Sequence, residues 1–258
     1  MLIETLLLFI AGFFGGALNS IAGGGSFITF PALLAAGVPA ISANATNTFA
    51  SMPGYMAGAW VLRHEMMNAK KNLTLTVIIA FIGGMIGAWL LLHTPAARFV
   101  QIVPWLLLFA TLLFIFGSKI NGWIRHHTRH HRHASMVGTL SLSALLLIIC
   151  IYGGFFNAGF GVIGLSYLAL AGMSDIRTMA GLKLVISSCV SSIAVVYFIM
   201  QNAIAWQPGL AVLAGTVTGG AISAHIARHL PQTIVRNFVI IASICITSWF
   251  FYDVYGRG

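Results

Sequence analysis

Hydrophobic residues run along this chain in long blocks, and charged residues, Lys183 apart, lie in the joints between them or near their ends. Blocks of spanning length cover about 2–18, 42–62, 73–92, 99–117, 136–157, 177–200, 206–227 and 233–252. About 20 apolar residues of helix cross a bilayer core. Two further apolar blocks, 26–37 and 161–172, are too short, since twelve residues of helix rise only about 18 Å. Each follows a glycine cluster, Gly23, Gly24 and Gly25 in one case and Gly153, Gly154, Gly159 and Gly161 in the other. Two tilted, closely packed helices would satisfy this pattern. So would a broken or re-entrant helix pair, which a membrane tolerates only where protein or a cavity covers the opened backbone.

The two halves resemble each other at a fixed shift of 136 positions. Gly83-Gly84 falls on Gly219-Gly220, Ala88 on Ala224, His93 on His229, Pro95 on Pro231, Ser51 on Ser187 and Asn47 on Lys183. This predicts a first transmembrane repeat over 1–118, a basic, histidine-rich cytoplasmic linker over 119–135 and a second repeat over 136–258.

Composition narrows the class. Of 258 residues, 59% are hydrophobic and 7% charged, against about 25% charged in soluble domains, and the mean hydropathy is +0.96. That leaves no room for a soluble catalytic or nucleic-acid-binding domain, so the partners expected are a lipid bilayer and a small ligand, with no nucleic acid. The net charge of +9 then reports orientation. If each half makes an odd number of crossings, Arg63, Lys70, Lys71, Lys119, Arg125, Arg129, Arg132, Arg177, Arg228 and Arg236 share one side, with Arg98 and Arg257 opposite. The positive-inside rule therefore predicts two inverted halves, with both termini outside the cytoplasm. No basic residue precedes the first apolar block, so a cleaved signal peptide is not expected.

Candidate chemistry is sparse. Glu4, Glu65, Asp175 and Asp253, the whole carboxylate inventory, lie at block ends or in joints, which leaves a carboxylate proton relay or cation site without a residue to stand on. Cys150, Cys189 and Cys245 sit within apolar blocks without metal-ligand spacing. His64-Glu65-Met66-Met67-Asn68 lacks the second histidine of a metalloprotease helix. The run RHHTRHHRH at 125–133 fits a polybasic loop on anionic lipid better than a metal site. No cofactor is expected, and no enzymatic activity.

What remains is polar sequence inside apolar surroundings: Asn19, Ser20, Ser26, Asn44, Thr46, Asn47, Thr48 and Ser51, then Asn157, Lys183, Ser187, Ser188, Ser191 and Ser192. Any one of these could be glue between helices. In both halves, however, they gather beside a glycine break and at the start of the next long block. Backbone N–H groups at a broken helix end, with hydroxyls and amides beside them, suit an anion. Lys183 adds a formal positive charge, although a lysine at that depth can also extend its ammonium to the interface. The candidate substrate-binding set is Asn19, Ser20, Gly23, Gly24, Gly25, Ser26, Asn44, Asn47, Thr48, Ser51, Asn157, Gly159, Gly161, Lys183 and Ser187, with the two glycine clusters expected to line one cavity.

The stretch 12–51, GFFGGALNSIAGGGSFITFPALLAAGVPAISANATNTFAS, resembles the first repeat of the sulfite exporter TauE/SafE family, and 153–188 resembles its degenerate second repeat. The resemblance implies an all-α, polytopic, inverted-repeat transporter, an exporter of sulfite, a sulfonate, sulfoacetate or a related organic anion. Thr46-Asn47-Thr48 stands where many relatives resemble "TNK", leaving Lys183 as the one lysine of the pair. The alternative is a structural or sensory membrane subunit, which would have little need of polar clusters at matching depths.

Overall fold

The computed structural model describes residues 2–21, 24–64, 73–128, 136–173, 175–226 and 232–256, with side chains at 20–21, 114, 118–128, 136–139, 223–226, 232–236 and 238–239 outside the description. Ten helices occupy them: α1 (Leu2–Ile21), α2 (Ser26–Ala35), α3 (Ala40–Val61), α4 (Leu73–His93), α5 (Ala96–Thr128), α6 (Met136–Phe155), α7 (Phe160–Leu170), α8 (Ile176–Met200), α9 (Trp206–Ile226) and α10 (Gln232–Tyr255). No strand occurs among the described residues. The fold is all-α.

Among the described residues, four helices (α1, α4, α5 and α8) are both long and apolar enough to cross a bilayer. The 22 residues of α3 are long enough too, but its composition is diluted by Asn44, Thr46, Asn47, Thr48 and Ser51, all of them buried. That polarity is turned inward. Large apolar side chains such as Phe14, Phe81, Trp89, Trp105, Phe109 and Ile148 are exposed instead, as a lipid-facing surface requires.

The two short apolar blocks form α2 and α7, of 10 and 11 residues. Both stop at a glycine in the left-handed conformation, Gly37 (φ 78°) and Gly172 (φ 83°). Gly37 donates to the Leu34 carbonyl and Val38 to that of Leu33; Gly172 donates to Ala169 and Met173 to Leu168. Such caps satisfy the last carbonyls of a helix and turn the chain sharply. The first break is built differently from the second: Gly25 is right-handed, whereas Gly159 has φ 76°.

One boundary differs from expectation. α5 runs on to Thr128, through residues assigned above to the linker. Nothing in 119–128 forbids helix, and a helix can continue past the bilayer once its backbone bonds are internal. Five of the ten basic joint residues assigned to the cytoplasmic side (Lys70, Lys71, Arg129, Arg132 and Arg228) lie outside the described residues.

Packing pairs the halves. α1 packs on α9 and α4 on α6, while α3 contacts α8 near the centre. α4 also meets α8 as α9 meets α3, α5 meets α7 as α10 meets α2, and α5 lies beside α10. Exchanging the first five helices for the last five reproduces this set. Lipid is as apolar as leucine, so helices here gain mainly from close van der Waals approach, and small residues permit it. A Cβ on Gly16 would stand 2.2 Å from the Thr216 carbonyl oxygen, and one on Gly87 2.1 Å from that of Ile151. Between α5 and α10, the Thr111 and Thr247 hydroxyls meet at 3.2 Å, across a sequence separation of 136.

Candidate functional site

In the first half Asn47 of α3 is bonded at both ends to polar residues of α2. Asn47, eighth in α3, donates from Nδ2 to Ser26 Oγ at 3.1 Å. The Thr29 hydroxyl donates to Asn47 Oδ1 and also lies 3.1 Å from the Gly25 carbonyl oxygen. Both ends of the Asn47 amide are therefore occupied. The Thr48 hydroxyl donates back to the Asn44 carbonyl at 2.9 Å, a bond that commits its proton to its own helix. Asn44 reaches into the other half, where its Nδ2 donates to the Phe155 carbonyl at 2.8 Å. Phe155 is the last residue of α6, so this bond holds the edge of the second break.

Around that break lies a second group. Asn157 is 3% exposed. The Tyr55 hydroxyl of α3 donates to its Oδ1 at 3.4 Å, while its Nδ2 has no partner. The same hydroxyl faces the side chains of Asn19 on α1 and Ser51 on α3. The Tyr152 hydroxyl donates to the Ala158 carbonyl at 2.7 Å and braces the turn.

Lys183, eighth in α8, runs along α7. Positions where Gly161 and Gly164 would carry a Cβ lie 3.7 Å from its Nζ and 3.4 Å from its Cγ. No side chain stands between the ammonium and the α7 backbone there. Among the described residues no carboxylate or hydrogen-bond partner faces the ammonium. Ser187, one turn further along α8, is buried.

The two glycine breaks have separate neighbours. Gly25 packs on Gly15 and Asn19 of α1, Gly159 on Ala110 of α5 and Gly161 on Lys183. Gly24 is buried. Gly23 and the Ser20 side chain lie outside the described residues. At the start of α8, Asp175 accepts from the Thr178 hydroxyl and, at 2.9 Å, from the Thr178 N–H. These donors hold its carboxyl below the ordinary range, with Arg177 adding a smaller effect. Among the described residues no three histidine, cysteine or carboxylate side chains gather as a metal site.

Comparison with known protein families matches residues 8–250 to "Sulfite exporter TauE/SafE". The chain belongs to the TauE/SafE family. A "probable membrane transporter protein" of Haemophilus influenzae is 30% identical over 250 residues, covering 96% of this chain and 94% of its own length. The "probable membrane transporter protein YfcA" of Escherichia coli K12 is 27% identical over 253 residues, with 97% and 91% covered. The "probable membrane transporter protein ORF9" of a Sinorhizobium species is 32% identical over 244 residues, with 93% and 89% covered. No solved structure matches. This TauE/SafE chain is thus a multi-pass membrane protein of a transporter family.

Two residues of the candidate site escape a reading of sequence alone. Thr29 is three residues after Ser26 on a helix otherwise apolar, and its partner Asn47 is 18 residues away. Tyr55 extends the spacing of Asn44, Thr48 and Ser51 by one more turn, which is the available signal. Chemically, Asn47, Ser26 and Thr29 satisfy one another within the first half, whereas among the described residues the second half offers an unpartnered cation and an unpartnered amide N–H.

Proposed function

We propose that the chain is a secondary transporter that exports a small sulfur-containing or organic anion, such as sulfite, a sulfonate or sulfoacetate, across the cytoplasmic membrane. The observation that carries this reading is Lys183, a cation on a spanning helix, set against bare α7 backbone with no carboxylate beside it among the described residues. An unpaired ammonium in such surroundings is costly unless water or an anion compensates it. The transporter names of the relatives support the same class.

On this reading Lys183 supplies charge, and Asn157, Ser187, Asn19, Ser51 and the α7 start at Gly159 and Gly161 supply neutral donors. Asn44, Asn47, Thr48, Ser26, Gly24 and Gly25 keep the first half in shape around them. The chain consists of two inverted repeats, 1–118 and 136–258, joined on the cytoplasmic side with both termini outside. With the cell interior negative, a monovalent anion leaving gains about 2.3 kcal/mol per 100 mV, so export requires no coupling carboxylate. The chain catalyses no covalent chemistry.

The test is flux through purified protein in liposomes, loaded in turn with sulfite, methanesulfonate, sulfoacetate and acetate, under an imposed potential. Efflux of at least one anion that rises with potential and collapses in Lys183→Met is the expected result. Equal flux in protein-free and protein-containing vesicles for the whole panel would overturn the assignment.

A further inference from the structure

Asn157 sits where the chain leaves α6 for α7, and its amide is only half used. Oδ1 accepts from the Tyr55 hydroxyl at 3.4 Å, and Nδ2, buried with the rest of a side chain that is 3% exposed, meets nothing. Leaving a buried donor unmade forfeits its full desolvation cost, and such exceptions call for a specific explanation. Sequence supplies a contrast within the same molecule. Asn47 is equally buried, yet both ends of its amide are bonded within its own half. Asn157 could have been apolar at no loss of helix, because it lies outside both α6 and α7.

The surroundings are a place for a ligand oxygen. The Tyr55 hydroxyl, Asn19 amide and Ser51 hydroxyl come from α1 and α3 of the first half, and Asn157 from the second. All four are uncharged. Lys183 reaches the α7 backbone at Gly161, four residues further along the chain than Asn157. A ligand held by the neutral donors at Asn157 would lie beside the start of the helix against which the ammonium rests.

We propose that Asn157 and Tyr55 form a neutral hydrogen-bond subsite between the two halves, distinct from Lys183, in which Asn157 Nδ2 donates to an oxygen of the carried anion. Tyr55 is a positioning residue: by holding Oδ1 it turns Nδ2 away from itself and towards the ligand. This inference rests on the anion-transport reading above. It adds that one contact to the ligand is uncharged and comes from the chain segment joining α6 to α7. Binding of an anion there completes a hydrogen bond that the empty protein lacks.

The experiment measures apparent affinity for sulfite, methanesulfonate and acetate by calorimetry on purified full-length protein, alongside thermal unfolding without ligand. Asn157→Leu is expected to weaken binding about tenfold, in line with one neutral hydrogen bond, while unfolding at the same temperature as the parent or above it. Asn157→Asp, which turns a donor into a negative acceptor, is expected to abolish binding. Should Asn157→Leu fail to insert, Tyr55→Phe carries the test, with a severalfold loss expected from an otherwise intact ring. Unchanged affinity in Asn157→Leu, or in Tyr55→Phe where that variant stands in, overturns the subsite alone, provided the parent binds and Lys183→Met does not. If the parent binds none of the three anions, the transport reading falls and the subsite falls with it.

Discussion

Replacing Gly154 with alanine tests how tightly the second break is held. A Cβ at this position would stand 2.3 Å from the Gly84 carbonyl oxygen and 2.9 Å from Gly84 Cα. Both are backbone atoms of α4, so no rotamer change relieves the clash. Nor can α4 simply retreat, because a Cβ on Gly84 would itself be only 2.9 Å from the Val190 Cα of α8. Ordinary contact starts at 3.4 Å, so α6 must withdraw from α4 by about 1 Å in an interior that packs as densely as a crystal. Overpacking of this kind costs about 1–3 kcal/mol. Gly54→Ala is the control, since the nearest atom to its Cβ is Asn19 Nδ2 at 4.0 Å. There the methyl fits, and relief of glycine's backbone entropy favours the folded helix by about 0.5–1 kcal/mol. Thermal unfolding of the purified full-length protein, followed by tryptophan fluorescence, should place Gly154→Ala below the parent and Gly54→Ala at or above it. Equal stability of Gly154→Ala and the parent would refute the idea that glycine is needed for the α4–α6 approach.

Lys183→Met should weaken anion binding at least tenfold, the scale of a lost charge-assisted hydrogen bond, with Lys183→Arg partly active; calorimetry beside thermal stability reads both. Asp175→Ala should lower the unfolding temperature at neutral pH by removing the α8 cap. Because the Asp175 carboxyl is held below its ordinary value of 3.8, its contribution is present above that value and is lost as pH falls through the lower folded value. An alanine variant should therefore differ from the parent at neutral pH and converge with it in acid. Single cysteines placed in a background lacking Cys150, Cys189 and Cys245 should react from outside at 39–42, 93–98 and 201–206 and from the cytoplasm at 63–71, 119–135 and 228–236. Strong outside labelling within 125–133 would reverse the orientation.

Sequence pattern alone located α2 and α7, because a glycine cluster in front of an apolar block too short to span leaves few readings. Its boundaries of 26–37 and 161–172 differ from Ser26–Ala35 and Phe160–Leu170 by one or two residues, the difference being the turn at each capping glycine. The polar cluster of α3 was equally legible, since five polar positions within eight residues of an apolar block stand out. What pattern could not supply was the partner of each group. Asn44 bonds a carbonyl 111 positions away, and Thr46 accepts from the Ala205 N–H 159 positions away. Asn47 and Lys183, aligned by the shift of 136, looked interchangeable. In space one is enclosed by Ser26 and Thr29, and the other is left open against Gly161. The length of α5 was missed for a simpler reason, that hydropathy marks the end of a bilayer and not the end of a helix.

The contact between Thr111 and Thr247 bears on how such a molecule could have arisen. On the proposed duplication these two hydroxyls are the same residue in two copies, and a residue that touches its own counterpart is the mark of an isologous, two-fold interface. A single-repeat ancestor pairing with itself would have made this contact without needing a second gene. In that ancestor every substitution struck both subunits together, so a lysine at the Lys183 position would have brought two like charges into one small assembly. Once the copies lie in one polypeptide, one half can keep a charge while the other keeps an amide. Fusion thus gives the transporter a single cation and a directional asymmetry that a symmetric pair could not encode.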